Sequence, residues 1–150
     1  MANPGPASSS FPNYALDPIN AFRLLASYKG LNVNATGDTQ IQIINLPTTY
    51  SVFQVVLTNA SISLTTAAAG LFTAPSAGGT AIVANAALSG LTGSTVVSQR
   101  TVASTAALTA QPYLYFNVGT AQGAAATVDL YIYGFDFSNP SGSPITGQFQ

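Results

Sequence analysis

From Leu31 onward, apolar and polar residues alternate with a period of two, the spacing of strands with one face toward a core. Thr39–Asn45 sets Ile41 and Ile43 against Gln40 and Gln42. Tyr50–Thr58 is a longer run, with Phe53, Val55 and Leu57 on one face and Val52 and Val56 on the other. Ser61–Thr65 turns Ile62 and Leu64 inward, and Tyr113–Gly119 sets Leu114, Phe116 and Val118 against Tyr113, Tyr115 and Asn117. Thr127–Tyr133 sets Val128, Leu130 and Ile132 against Asp129, Tyr131 and Tyr133. Shorter strands are expected at Gly70–Thr73, Thr80–Ala84, Thr95–Gln99 and Thr101–Ala103. Turns rich in Gly, Pro, Asn and Ser separate them, as at Leu46–Thr48, Ala74–Gly79 and Thr120–Ala125. Many short strands with turns between them, and no alternation of strand with helix, predict an all-β fold, an antiparallel β-sandwich or small barrel.

The ends read differently. Pro4, Gly5, Pro6 and Pro12 interrupt regular structure in residues 1–16, while Phe11, Tyr14 and Leu16 supply apolar beads, so this stretch is expected to be an extended docking arm. Asp17-Pro18 ahead of Ile19–Tyr28, closed by Gly30, has the punctuation of a short helix. Ile19, Phe22 and Ala26 would share one face, with Leu24 on the other. Residues 138–150 return to Pro, Gly and Ser, with Ile145 and Phe149 as beads. The expected organisation is an arm and short helix over 1–30, a β-sandwich core over 31–137 and a second arm over 138–150.

Composition narrows the function. Of the 150 residues, 5% are charged, where about 25% is usual. Net charge is −1, and the three cations, Arg23, Lys29 and Arg100, are scattered, so no nucleic-acid footprint and no basic membrane face is expected. No run approaches the ~20 apolar residues of a bilayer span, and Met1–Ser10 lacks the basic and apolar regions of an export signal. There is no Cys or His, which removes thiolate and imidazole chemistry, and the acids are Asp17, Asp38, Asp129 and Asp136. No catalytic residue, metal or cofactor is expected, and the chain is read as a non-enzyme. With so little charge to keep copies apart, it suits an assembly.

Each remaining motif has an ordinary structural reading. Asp129 and Asp136 lie close enough in sequence to suggest a carboxylate pair, but solvated or hydrogen-bonded acids are the simpler expectation. Ser27 and Lys29 fall on different helix faces and form no dyad, and an isopeptide at Lys29 lacks a placed acid. Gly78-Gly79 and Gly119 to Gly123 are flanked by strands and read as hairpin turns rather than phosphate loops. Asn34-Ala-Thr36 and Asn59-Ala-Ser61 match the glycosylation acceptor by chance. If strands 113–119 and 127–133 pair, Tyr113, Tyr115, Tyr131 and Tyr133 share a face. That face is either a ligand platform or an aromatic ladder buried against another segment or subunit, the latter favoured by the enrichment of Tyr at interfaces.

The phrase Leu-Thr-Asn-Ala-Ser-Ile-Ser-Leu-Thr-Thr-Ala-Ala-Ala-Gly-Leu-Phe-Thr-Ala-Pro-Ser-Ala-Gly-Gly-Thr-Ala-Ile-Val over residues 57–83 resembles small virion proteins encoded beside the capsid gene of tailed bacteriophages. So does Gly-Thr-Ala-Gln-Gly-Ala-Ala-Ala-Thr-Val-Asp-Leu-Tyr-Ile-Tyr-Gly over 119–134. These are the capsid decoration, or cement, proteins. The resemblance covers residues 31–137, excludes both arms and carries no residue-level function. It implies a sandwich or jelly-roll core and a homodimer or homotrimer on the outside of the shell, made in the host cytoplasm. There it would hold neighbouring capsomers through the major capsid protein. The contact residues expected on that reading are Phe11, Tyr14, Ile19, Phe22 and Leu24, with Ile145 and Phe149 at the other end and the four tyrosines between. The rival expectation is a head-fibre or tail receptor-binding module that uses the tyrosine face on host glycans.

Overall fold

The computed structural model describes residues 22–138. Nine strands follow in chain order: β1 Arg23–Asn32, β2 Gly37–Gln42, β3 Thr49–Thr58, β4 Ala68–Ala74, β5 Gly78–Ala87, β6 Val97–Arg100, β7 Leu108–Thr109, β8 Tyr113–Thr120 and β9 Thr127–Asp136. They form two antiparallel sheets. The first runs β1-β9-β3-β6, with β7 also on β3, and the second runs β2-β8-β4-β5. The inward residues of both sheets share one apolar cluster, including Leu25, Val55, Leu57, Leu130 and Ile132 from the first and Ile41, Leu71, Ile82, Leu114 and Phe116 from the second. The all-β, two-sheet expectation is therefore met, and among the described residues there is no helix.

The short helix is a correction. Asp17–Ala21 lies outside the described residues, but Arg23–Asn32 is a ten-residue edge strand laid antiparallel against β9, from Arg23 opposite Gly134 to Asn32 opposite Thr127. Two bulges, between Leu24 and Ala26 and between Tyr28 and Leu31, break its alternation and put Leu25 and Ala26 side by side in the core. A strand whose apolar residues are consecutive reads as a helix by periodicity, and the ladder with β9 overrides that local signal. Gly30 takes the left-handed backbone the second bulge needs, at φ 68°.

Ser61–Thr65 is a loop rather than a strand. Leu64 is buried with its N–H on the Leu91 carbonyl, whereas Ile62 is exposed. Thr101–Ala103 pairs with no strand, although the Ala103 N–H reaches the Ile82 carbonyl at 2.8 Å and links the segment after β6 to β5. In β3 a bulge between Val52 and Gln54 shifts the phase, so Val52, Val55 and Leu57 face the core while Phe53 faces outward. Tyr50, fully buried, donates its hydroxyl to the Gln111 carbonyl at 2.9 Å, and burial raises its phenol above the ordinary range.

Candidate interaction surface

Past Val128, the odd-numbered residues of β9 project away from the core, and after Tyr131 every one of them is aromatic: Tyr133, Phe135 and, just beyond the strand, Phe137. The neighbouring strands add to this face. Phe22 enters at the head of β1 and stacks on Tyr133 with ring centres 6.1 Å apart. It also meets Phe135 edge-on at 5.6 Å. From the other side the β3 bulge delivers Phe53, whose ring stands perpendicular to Phe135 at 5.2 Å, and Phe137 stacks on Phe135 at 6.3 Å. Edge-on and offset geometries at these separations are favourable aromatic pairings. The cluster nonetheless remains open: Phe22 and Phe53 are each 46% exposed and Phe137 is 47% exposed. Contiguous apolar exposure of this kind makes the cluster a candidate contact surface, since single exposed side chains are ordinary and clusters are not.

The backbone beneath the cluster is held tightly. Gly134 lies between Arg23 on β1 and Val52 on β3, with no room for a side chain: a Cβ there would sit 1.9 Å from the Ser51 carbonyl oxygen and 2.8 Å from Leu25 Cδ1. Beside it, Arg23 forms an ion pair with Asp136, whose other oxygen accepts the Ser138 N–H at 2.9 Å. Burial on its own would raise the Asp136 carboxyl. The Ser138 hydrogen bonds, with the bond and charge of Arg23, outweigh it and hold the group below the ordinary carboxylate value. A depressed folded-state pKa contributes stability that is fully present above the unfolded value and is lost as pH falls through the folded one. Stability should therefore decline as pH drops below about 4. In Asp136→Asn this component is absent, so its urea midpoint should be lower at neutral pH and flatter toward acid; parallel pH profiles for the two proteins would contradict the assignment.

The other candidates resolve into structure. Asp129, buried, accepts the Gly30 N–H at 2.8 Å and the Asn59 side-chain amide at 3.1 Å, so it ties the β1 bulge to the end of β3. It stands seven residues from Asp136 along one strand, roughly 23 Å away, with different partners, and the two do not share a site. Ser27 and Lys29 lie exposed on edge strand β1. Asp38 accepts the Asn117 amide at 2.8 Å and the Ser76 N–H at 2.7 Å. Ser76 and Ala77 form the β4–β5 hairpin turn at positive φ, as a tight hairpin requires. A shallow groove of about 290 Å³ between β5 and β6 is floored by Arg100, but its guanidinium is already occupied by the Ala86 and Ala87 carbonyls at 3.1 and 3.0 Å. Among the described residues no three potential ligands cluster for a metal, and no helix is long and apolar enough to cross a membrane.

The four tyrosines are a second correction. Strands β8 and β9 belong to different sheets. Tyr113 and Tyr115 are half-buried outside the second sheet, Tyr115 between Gln40 and Phe72. Tyr131 and Tyr133 lie outside the first, Tyr131 between Ser27 and Val56 and Tyr133 between Leu24 and Gln54. No common tyrosine face exists. Of the expected contact residues, Phe22, Leu24 and Tyr133 come together at the aromatic cluster, whereas Phe11, Tyr14, Ile19, Ile145 and Phe149 lie outside the described residues. Phe53, Phe135 and Phe137 were not anticipated. For the last two a signal was present, because residues 131, 133, 135 and 137 share one parity and all four are aromatic. Comparison with family models, curated proteins and solved structures finds no match for the chain.

Proposed function

We propose that this chain is a structural protein of a bacteriophage virion, a capsid decoration protein that binds the outside of the shell and cements neighbouring capsomers. The observation that carries the reading is the open aromatic cluster on the outer face of the first sheet. It lies where the chain enters β1 and leaves β9, so residues 1–21 and 139–150 both attach at its border. A charge-poor surface with an aromatic patch, flanked by two apolar-beaded segments, suits attachment to a large partner rather than catalysis.

The strand orders support the finer fold within that reading. With β7 set aside as a short addition to β3, the sheets pair first, eighth, third and sixth strands, and second, seventh, fourth and fifth. We read that interleaving as the jelly roll, an eight-stranded sandwich used by viral capsid domains. The resemblance of residues 57–83 and 119–134 to phage decoration proteins points the same way. The mechanism is linkage: a protein that binds the assembled shell and not its separated parts shifts the equilibrium toward the shell. Repeated contacts on a symmetric lattice, made by a homodimer or homotrimer with the major capsid protein, add avidity.

The patch is testable without disturbing the core. In Phe53→Ser combined with Phe137→Ser, both nearly half exposed, the urea midpoint should change little. Binding to shells assembled without the protein should weaken at least tenfold, about 1.4 kcal/mol. Unchanged binding by a folded variant would remove the cluster from the shell contact.

A further inference from the structure

We infer that the aromatic cluster on the first sheet is covered, in the free protein, by the N-terminal segment of the same chain, residues 11–21. The inference goes beyond the capsid reading: on that reading the segment yields the cluster to the shell on attachment, and its own test is made on the free protein. Three observations carry it. First, the chain reaches the cluster already docked: Phe22, the first described residue, lies on it against Tyr133 and Phe135, so what precedes Phe22 begins at the patch. Second, the reach and spacing fit. The cluster spans β1, β9 and β3, a width of roughly 10 Å. Ile19, Tyr14 and Phe11 stand three, eight and eleven residues before Phe22, within roughly 10, 27 and 37 Å of extended chain. With Leu16 they form a series of apolar beads at intervals of two or three residues. The C-terminal segment offers its first large aliphatic side chain only at Ile145, eight residues past Phe137 and beyond two prolines. Third, the buried Nε–H of Arg23, next to Phe22, has no acceptor among the described residues, and a buried donor is rarely left unpaired.

The full-length chain contains no Trp, so one introduced indole reports on its own surroundings. Phe11→Trp and Tyr14→Trp are made separately, and their quenching by acrylamide is compared with that of peptides 1–21 carrying the same substitution. The expected result is a blue-shifted emission and several-fold weaker quenching for at least one reporter, independent of protein concentration. Adding Phe53→Ser and Phe137→Ser should restore peptide-like quenching. Three results would overturn the inference. Both reporters quenched as in the peptides would mean the segment is not docked. Protection lost on dilution in step with dissociation of an oligomer would mean that a second copy supplies the cover. Protection unchanged by the two serines would place the segment elsewhere.

Discussion

Gly134→Ala is expected to lose about 3 kcal/mol of stability or more, at the top of the range for overpacking, and to leave little folded protein. The added methyl would meet the backbone carbonyl of Ser51 and not the yielding end of a side chain, at 1.9 Å, with Leu25 Cδ1 closing the other side at 2.8 Å. Relief requires β9 to part from β3 or β1, and β9 is the strand that joins those two. Total stability for a domain of this size is roughly 5–15 kcal/mol, so a loss of this order is a large share of it. The check is urea unfolding beside Gly90→Ala, where a Cβ meets nothing within 4 Å. The control should move by no more than about 0.5 kcal/mol. Equal midpoints for the two variants would show that β9 has freedom here that the packing denies it.

Asp129→Ala is expected to cost about 1.5–3 kcal/mol, the range for a hydrogen bond to a charged group. One carboxylate holds two elements: the Gly30 N–H of the bulged edge strand and the Asn59 amide at the end of β3. Without it the bulge, already at positive φ, loses the acceptor that fixes it, and β1 should fray from its Asn32 end. Asp129→Asn keeps one acceptor oxygen and should fall between the two. Amide exchange read along β1 separates this from general destabilisation, because Leu31 should lose protection before Leu25 does. Uniform loss along the strand would contradict a local role.

The sequence was legible where alternation ran unbroken. β2, β8 and β9 carry strict inward–outward patterns and were recognised with their inward faces, Ile41, Leu114 and Phe116, Leu130 and Ile132. β1 reads as a helix because Asp17-Pro18 and Gly30 punctuate it like one, and because its first bulge puts both Leu25 and Ala26 in the core, erasing the period that marks a strand. The same effect in β3 sent Phe53 to the wrong face. Bulges form in response to a partner strand, and that partner, β9, lies about a hundred residues away. The supposed tyrosine face failed for a related reason. Both runs are strands, but consecutive strands need not pair, and strand order is a non-local property of the two sheets together rather than of either run. The aromatic cluster was half visible, in the parity of residues 131 to 137. Phe22 and Phe53 join it only through the β1–β9 and β3–β9 registers.

Attachment to a shell is measured by titrating the purified 150-residue protein onto capsids assembled without it and quantifying what sediments with them. Saturable binding at a fixed number of copies per capsomer is expected, with the decorated shells withstanding heat better than bare ones. Failure to sediment with the shells, or binding that rises without saturation, would contradict it.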